Sequence, residues 1–147
     1  MAVLDVIYFP DSPLQDKASP VTAFDKKLEE LVQNMFETMH AYQGGGLAAP
    51  QIGLSKRVFV LREPEGPEMC FVNPEIVEME GREEGEEGCL SMPGVYAMVP
   101  RATRVFVKAQ DVRGEAIELE ATDFLARIIQ HETDHLDGVM FIDRLSE

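Results

Sequence analysis

Basic residues are scarce in this 147-residue chain. Thirteen Lys and Arg stand against 27 Asp and Glu, for a formal net charge of −14. That balance excludes broad electrostatic binding to nucleic acid, which needs clustered cations. Cysteine is equally sparse. Cys70 and Cys89 are the only two, too few for a disulfide framework, so a reducing intracellular setting is expected. No apolar run approaches the roughly 20 residues needed to span a bilayer. The N-terminus, Met1-Ala2-Val3-Leu4-Asp5, lacks the basic and hydrophobic stretches of a secretory signal. The expected location is the cytoplasm, or an organelle matrix or stroma if a transit peptide has been removed. No repeat or low-complexity linker divides the chain, so one domain over residues 1–147 is expected.

Histidine is the third scarcity, with three in the chain. Two of them fall in Gln130-His131-Glu132-Thr133-Asp134-His135-Leu136. This is His-Glu-x-x-His, and residues four apart share one helix face, roughly 5–6 Å apart at Cβ. Both imidazoles can then bind one divalent metal, and Glu132 can take a proton from a water at the open position. The plain alternative is a helix with two surface histidines. Phe124, Leu125, Ile128, Ile129 and Leu136 repeat at near-helical spacing and argue instead for a buried, dry helix. Thr122 is its expected N-cap, and Asp137-Gly138 its stop.

Residues 1–20 read as an irregular arm with Pro10, Pro13 and Pro20. A helix is expected from about residue 23 to 42. Thr22 and Asp25 resemble a capping signal, and Leu28, Leu31, Val32, Met35, Phe36, Met39 and Tyr42 follow helical spacing. His40, in its last turn, reads as a donor near the carbonyl end rather than a ligand. Gly44-Gly45-Gly46-Leu47-Ala48-Ala49-Pro50-Gln51 comes next. Gly44, Gly46 and Ala49 formally fit a dinucleotide fingerprint, but that pattern follows a strand and opens a helix. Two readings remain for the stretch: a helix cap and loop, or backbone that must approach something closely. Short strands are expected at Val58–Leu61, at Phe71-Val72 and Ile76-Val77 around Asn73-Pro74, at Val105 to Ala109, and at Ile117 with Leu119 after the Asp111–Gly114 turn. The acidic stretch from Glu63 to Glu87 reads as solvated loops and strand faces. Two helices with hairpin-prone strands give an α+β fold.

A hydrolytic metal site usually has three protein ligands and a water. Asp137, Asp143 and Glu147 are the only acidic candidates after His135. Cys89, beside Gly88 in Glu86-Glu87-Gly88-Cys89-Leu90-Ser91, is the better one. Cys70, between Met69 and Phe71, reads as a small buried hydrophobe.

Taken together and in order, Gly44–Gln51, Glu87–Ser91 and Gln130–Leu136 resemble the three motifs of peptide deformylase, and the likeness runs over nearly the whole chain. The resemblance implies a central metal-binding helix surrounded by mostly antiparallel strands, with the other long helix packed outside. It implies an enzyme that removes the formyl group from the N-terminal methionine of newly made proteins. It makes Cys89, His131 and His135 ligands of one divalent metal, with Fe²⁺ native and Zn²⁺, Ni²⁺ or Co²⁺ as substitutes. Glu132 becomes the general acid/base, and Gln51 and the Leu90 N–H the oxyanion donors. Gly44, Gly45, Gly46 and Gly88 would flank an extended peptide. Helical geometry places Phe124, Arg127 and Ile128 on the His131 face, toward an apolar methionine pocket.

Two positions depart from the family pattern. Gly45 stands where a branched aliphatic is usual, which removes pocket surface and loosens the loop. Arg127 stands where an apolar pocket residue is usual, with its stem lining the pocket or its charge polarising it. The chain ends at Leu145-Ser146-Glu147, where many bacterial members continue into a helix implicated in ribosome docking. With the net charge of −14, ribosome contact is expected to be transient at most. The other expected partners are N-formyl-methionyl nascent peptides, with no membrane and a monomeric state. Two competing readings are a small zincin-like peptidase, opposed by the missing downstream ligand, and a non-catalytic peptide-binding relative, opposed by the presence of Glu132 and Gln51.

Overall fold

Asp25, not Thr22, starts the first helix. Its carboxylate accepts from Leu28 N at 3.1 Å, and helix α1 runs Lys26–Ala41. Thr22 lies outside the first turn, too early to reach its free N–H groups. The computed structural model describes residues 3–4, 6–7, 17–42, 44–63, 67–89 and 91–139. After α1 come strand β1 (Gly46–Ala48), a 3₁₀ turn (Ala49–Ile52), β2 (Val58–Arg62), β3 (Glu68–Glu80), β4 (Glu83–Cys89), β5 (Met92–Arg101), β6 (Arg104–Gln110), β7 (Ala116–Thr122) and helix α2 (Asp123–Leu136). Every strand pairing among them is antiparallel.

The strands form a five-stranded sheet in the order β1-β2-β3-β6-β7 and a separate two-stranded sheet, β4-β5. The continuous apolar run of β2 is explained by burial on both faces. Phe59 and Leu61 point toward α2 with Phe71, Val105, Val107, Ile129 and Leu136. Val58 and Val60 point the other way, toward Val32, Met35 and Met39 of α1. Phe59 and Phe71 stack with ring centroids 4.9 Å apart. So α2 and α1 cover opposite faces of the sheet, and truncating a side chain such as Met35 to alanine would cost about 2–5 kcal/mol.

The expected strands at Phe71-Val72 and Ile76-Val77 are one strand, β3, not two. Asn73-Pro74 bends it without ending it. Asn73 takes φ of 51°, a conformation asparagine tolerates. Its side chain bonds Val21 N at 2.7 Å, Val21 O at 2.8 Å and Gln110 Oε1 at 2.8 Å. The β3-β6 register shifts there, as a bulge requires. The acidic stretch is mostly solvated strand face: Glu75, Glu78, Glu80, Glu83, Glu84 and Glu86 are exposed. Glu87 is the exception and is buried.

Helix α2 begins after Thr122, whose side chain makes no capping bond. It ends at Leu136, with Gly138 in the left-handed region at φ 76°. Arg57 holds that end. Its guanidinium donates to Leu136 O at 2.9 Å and pairs with Asp137 at 3.0 Å. The described part of the N-terminal arm joins in, with Ala18 N donating to Leu136 O at 2.7 Å.

Candidate functional site

Strand β4 lies along α2 so that three alternate strand residues meet three helix residues spaced four apart. Gly85 faces the guanidinium of Arg127. Glu87 Oε1 is 2.9 Å from Nδ1 of His131. Cys89 Sγ is 3.3 Å from Nε2 of His135. The match is geometric. Two strand residues advance about 6.8 Å and four helix residues about 6 Å, so successive rungs stay in step.

The third rung brings the metal-ligand candidates together. Nε2 of His135 is also 3.3 Å from Nε2 of His131, and one donor atom from each of Cys89, His131 and His135 lies within 4.8 Å of the others. Ligands bound at zinc distances on a tetrahedron are separated by roughly 3.3–3.6 Å. The donor set therefore fits one transition-metal ion, and a thiol with two imidazoles suits iron, zinc, nickel or cobalt better than magnesium or calcium. The two rings do not share charge equally. Burial disfavours a charged His131, but hydrogen bonds to Cys89 and Glu87 outweigh it and hold the ring at about 10. Burial and the charged His131 keep His135 well below its ordinary range.

Glu87 and Arg101 are residues of the candidate site that sequence reasoning missed. Arg101 grips Glu87 with two bonds of 2.9 Å and reaches Asp134 at 2.5 Å. Both residues are buried. Burial pushes the Glu87 carboxyl up, yet hydrogen bonds from His131 and Arg101 overcome it and leave it at about 2. An ionised carboxylate can only accept, so His131 Nδ1 donates and its Nε2 is left facing the cluster.

Arg127 lines the pocket, and its guanidinium bonds Glu87 at 2.6 Å, Val99 O at 2.9 Å and Glu83 O at 2.7 Å. Gly85 makes room for it, since a Cβ there would stand 2.9 Å from its Cζ.

Glu132 sits beside the ligands, buried, with Oε1 lacking a hydrogen-bond partner. Burial is the main reason its pKa rises to about 7, with His131 pulling it down and Glu87 pushing it up. It abuts β1, where a Cβ on Gly46 would lie 2.6 Å from its Oε2. Here the close-approach reading of the glycine stretch holds. That stretch is also anchored rather than loose, because Gly44 N donates to Met39 O and Arg62 N to Gly45 O, each at 2.9 Å.

Gln51, buried in the 3₁₀ turn, accepts from Ala48 N through Oε1 at 2.9 Å. That bond fixes the amide's orientation. Its NH₂ is left 3.4 Å from Cys89 Sγ and 3.5 Å from Ser91 Oγ. Leu90 lies outside the described residues.

Gln51, Glu132, Cys89, His131, Gly44, Gly45, Gly46, Gly88, Phe124, Arg127 and Ile128 all line one cavity of about 470 Å³. His135 is buried behind it. Phe124, expected on a buried face, is 54% exposed. It sits in the first turn of α2. His40 stands apart from the site and meets the Glu68 carboxylate on β3.

The polypeptide deformylase family pattern matches residues 3–147. The peptide deformylase of Heliobacterium modesticaldum is 50% identical over 145 residues, covering 99% of this chain and 95% of that protein. That of Chromobacterium violaceum is 49% identical over 149 residues, 100% of this chain and 89% of that protein. Among solved structures, peptide deformylase from Thermotoga maritima superposes with a TM-score of 0.96 at 44% identity, covering 99% of each chain. The Ehrlichia chaffeensis enzyme in complex with actinonin does so with a TM-score of 0.96 at 40% identity, over 100% of this chain and 91% of that one. Likeness of sequence and of backbone thus extends over the same residues that build the Cys-His-His cluster, and the chain belongs to the polypeptide deformylase family.

Proposed function

We propose that residues 1–147 form one catalytic domain that hydrolyses the N-formyl group from formyl-methionyl peptides, releasing formate and a free amine. The observation that supports this best is the convergence on one cavity of Glu132, the Gln51 amide and the Cys89-His131 side of the ligand cluster.

The chain's own groups account for the proton and charge movements. Water adds to the formyl carbon and the C–N bond breaks. Glu132, buried and with a free carboxylate oxygen, takes the proton from water and delivers it to the leaving nitrogen. Burial raises the pKa of this carboxyl, as suits a group that must take up a proton and return it. The Gln51 NH₂, fixed by Ala48 N, donates to the oxygen that becomes negative, and the Leu90 N–H is the second donor that the family resemblance implies. Removing one such donor costs about 2.7–4 kcal/mol of barrier. Cys89, His131 and His135 would hold a divalent ion, which would supply Lewis acidity toward the formyl oxygen and the water. Iron is the native ion by resemblance, with zinc, nickel or cobalt as substitutes. Glu87 and Arg101 orient His131. Gly44–Gly46 and Gly88 flank the peptide backbone, and Phe124, the Arg127 stem and Ile128 receive the methionine side chain.

The enzyme is read as a cytoplasmic monomer acting on nascent chains. No helix among the described residues is long and apolar enough to cross a membrane. The test is formate release from formyl-Met-Ala-Ser by Ni²⁺-loaded protein or anaerobic Fe²⁺-loaded protein. Release that is lost in Glu132→Gln and absent with the acetylated peptide supports the proposal. No release from protein holding one metal per chain overturns it.

A further inference from the structure

Adjacent glycines in the loop after α1 have opposite reasons for being glycine. Gly46 has no room for a side chain because Glu132 occupies the space. Gly45 has room. A Cβ there would meet only Ile128 Cδ1, at 3.9 Å, an ordinary contact. Its backbone makes no demand either, since it is not among the described glycines with positive φ. The space where a side chain would stand belongs to the cavity of about 470 Å³ that Gly45 and Ile128 both line.

The space cannot be recovered by the loop folding inward. Gly45 O accepts from Arg62 N, Gly44 N donates to Met39 O, and Gly46 is paired with Leu61 in the sheet. The surrounding surface is apolar. Ile128 forms one side, and the Arg127 guanidinium is already engaged by Glu87, Val99 O and Glu83 O. Phe124, 54% exposed, offers a ring for edge or offset stacking.

We propose that Gly45 is a specificity-determining residue: by leaving the space over Ile128 open, it lets the pocket take N-formyl peptides whose leading side chain is an aromatic ring as well as methionine. This rests on the deformylase reading above. A phenyl ring is broader than an unbranched methionine side chain and makes more use of the space over Ile128.

The experiment measures peptide binding and turnover separately. Calorimetry on Ni²⁺-loaded Glu132→Gln protein, which keeps the peptides intact, gives Kd for formyl-Met-Ala-Ser and formyl-Phe-Ala-Ser. The two are expected to agree within about fivefold, and adding Gly45→Val is expected to shift the ratio at least about tenfold toward methionine, the scale of a few methylenes in an apolar pocket. Gly45→Ala should fall between, and it carries the test if circular dichroism shows the valine variant unfolded. Phenylalanine peptide bound over about a hundredfold more weakly than methionine peptide, or a ratio unmoved by the substitutions, overturns the inference. Formate release by protein with Glu132 intact is scored alongside. Binding with the expected ratios but no formate sinks the deformylase reading alone. Formate with an unmoved ratio sinks the pocket inference alone, and no binding of either peptide overturns both.

Discussion

Nδ1 of His131 donates to Oε1 of Glu87 across 2.9 Å, while Arg101 holds the same carboxylate with two further bonds. The His131 ring is thereby fixed by an anion that is itself fixed. Glu87→Gln keeps the shape and removes the charge. It leaves Arg101, 5% exposed, facing a neutral amide, and breaking a buried pair of this kind costs about 3–5 kcal/mol. Removing the charge is also expected to weaken metal binding about 10–100-fold, read as release to a competing chelator. Unchanged metal affinity together with an unchanged melting temperature would remove Glu87 from the site.

Gly46→Ala places a methyl group where Glu132 Oε2 now lies. The carboxylate must move, and a displacement of about 1 Å at a reacting group costs on the order of a hundredfold in rate. The strand itself has no need of glycine at this point, as Gly46 is not in the positive-φ region. The expected result is a large fall in kcat for formyl-Met-Ala-Ser with a melting temperature close to that of the parent. Full activity in Gly46→Ala would show that Glu132 works from another position.

Arg57 does not line the cavity, yet it binds the last carbonyl of α2 and Asp137 beyond it. His135 lies in that final turn. Arg57→Met keeps the stem and removes the donors, and a hydrogen bond from a charged group is worth about 1.5–3 kcal/mol. A lower urea midpoint is expected, with faster amide exchange over 133–138. Exchange protection unchanged in those residues would mean that the helix end holds without Arg57.

Cys70 supplies a pH prediction away from the metal cluster. Burial, helped by Asp111, pushes its thiol from 9.0 to about 12. The folded pKa lies above the unfolded one, so the unfolded chain releases this proton first. The stabilisation is complete below about pH 9 and is lost as pH rises toward 12, at up to about 1.4 kcal/mol per pH unit. Stability of Cys70→Ala, measured by urea unfolding between pH 8 and 11, is expected to fall less steeply than that of the parent. Parallel slopes would show that Cys70 ionises alike in both states.

The parts of this site that were legible in sequence are those set by local geometry. His131, Glu132 and His135 lie within one turn of helix, and their spacing alone places them on a common side. Burial of α2 could be read from Ile128, Ile129 and Leu136, because apolar periodicity reports a covered face. Cys89 emerged from the lack of a suitable ligand after His135 and from the family resemblance. Glu87 could not be separated from Glu86, since both sit in an acidic run and both read as solvated. What distinguishes them is strand alternation, and which set turns inward depends on how β4 meets β5 and α2. Arg101 and Asp134 are hidden for the same reason, as their partners arrive from other elements. The single long β3 was read as two strands because asparagine and proline end most strands, whereas here the Asn73 side chain supplies bonds that the bent ladder lacks.

The first two rungs between β4 and α2 are one decision rather than two. Because side chains alternate along a strand, sliding β4 by a single residue would reverse its inward set. The carboxylate that braces His131 and the gap that admits Arg127 would turn outward together, and Glu86 and Glu84 would take their places. The β4-β5 register shifts between Gly88 and Cys89, so the thiol is set by that irregularity as well as by the alignment at Glu87. The molecule thus encodes the bracing of His131 in a digital manner: the carboxylate and the gap arrive together or not at all.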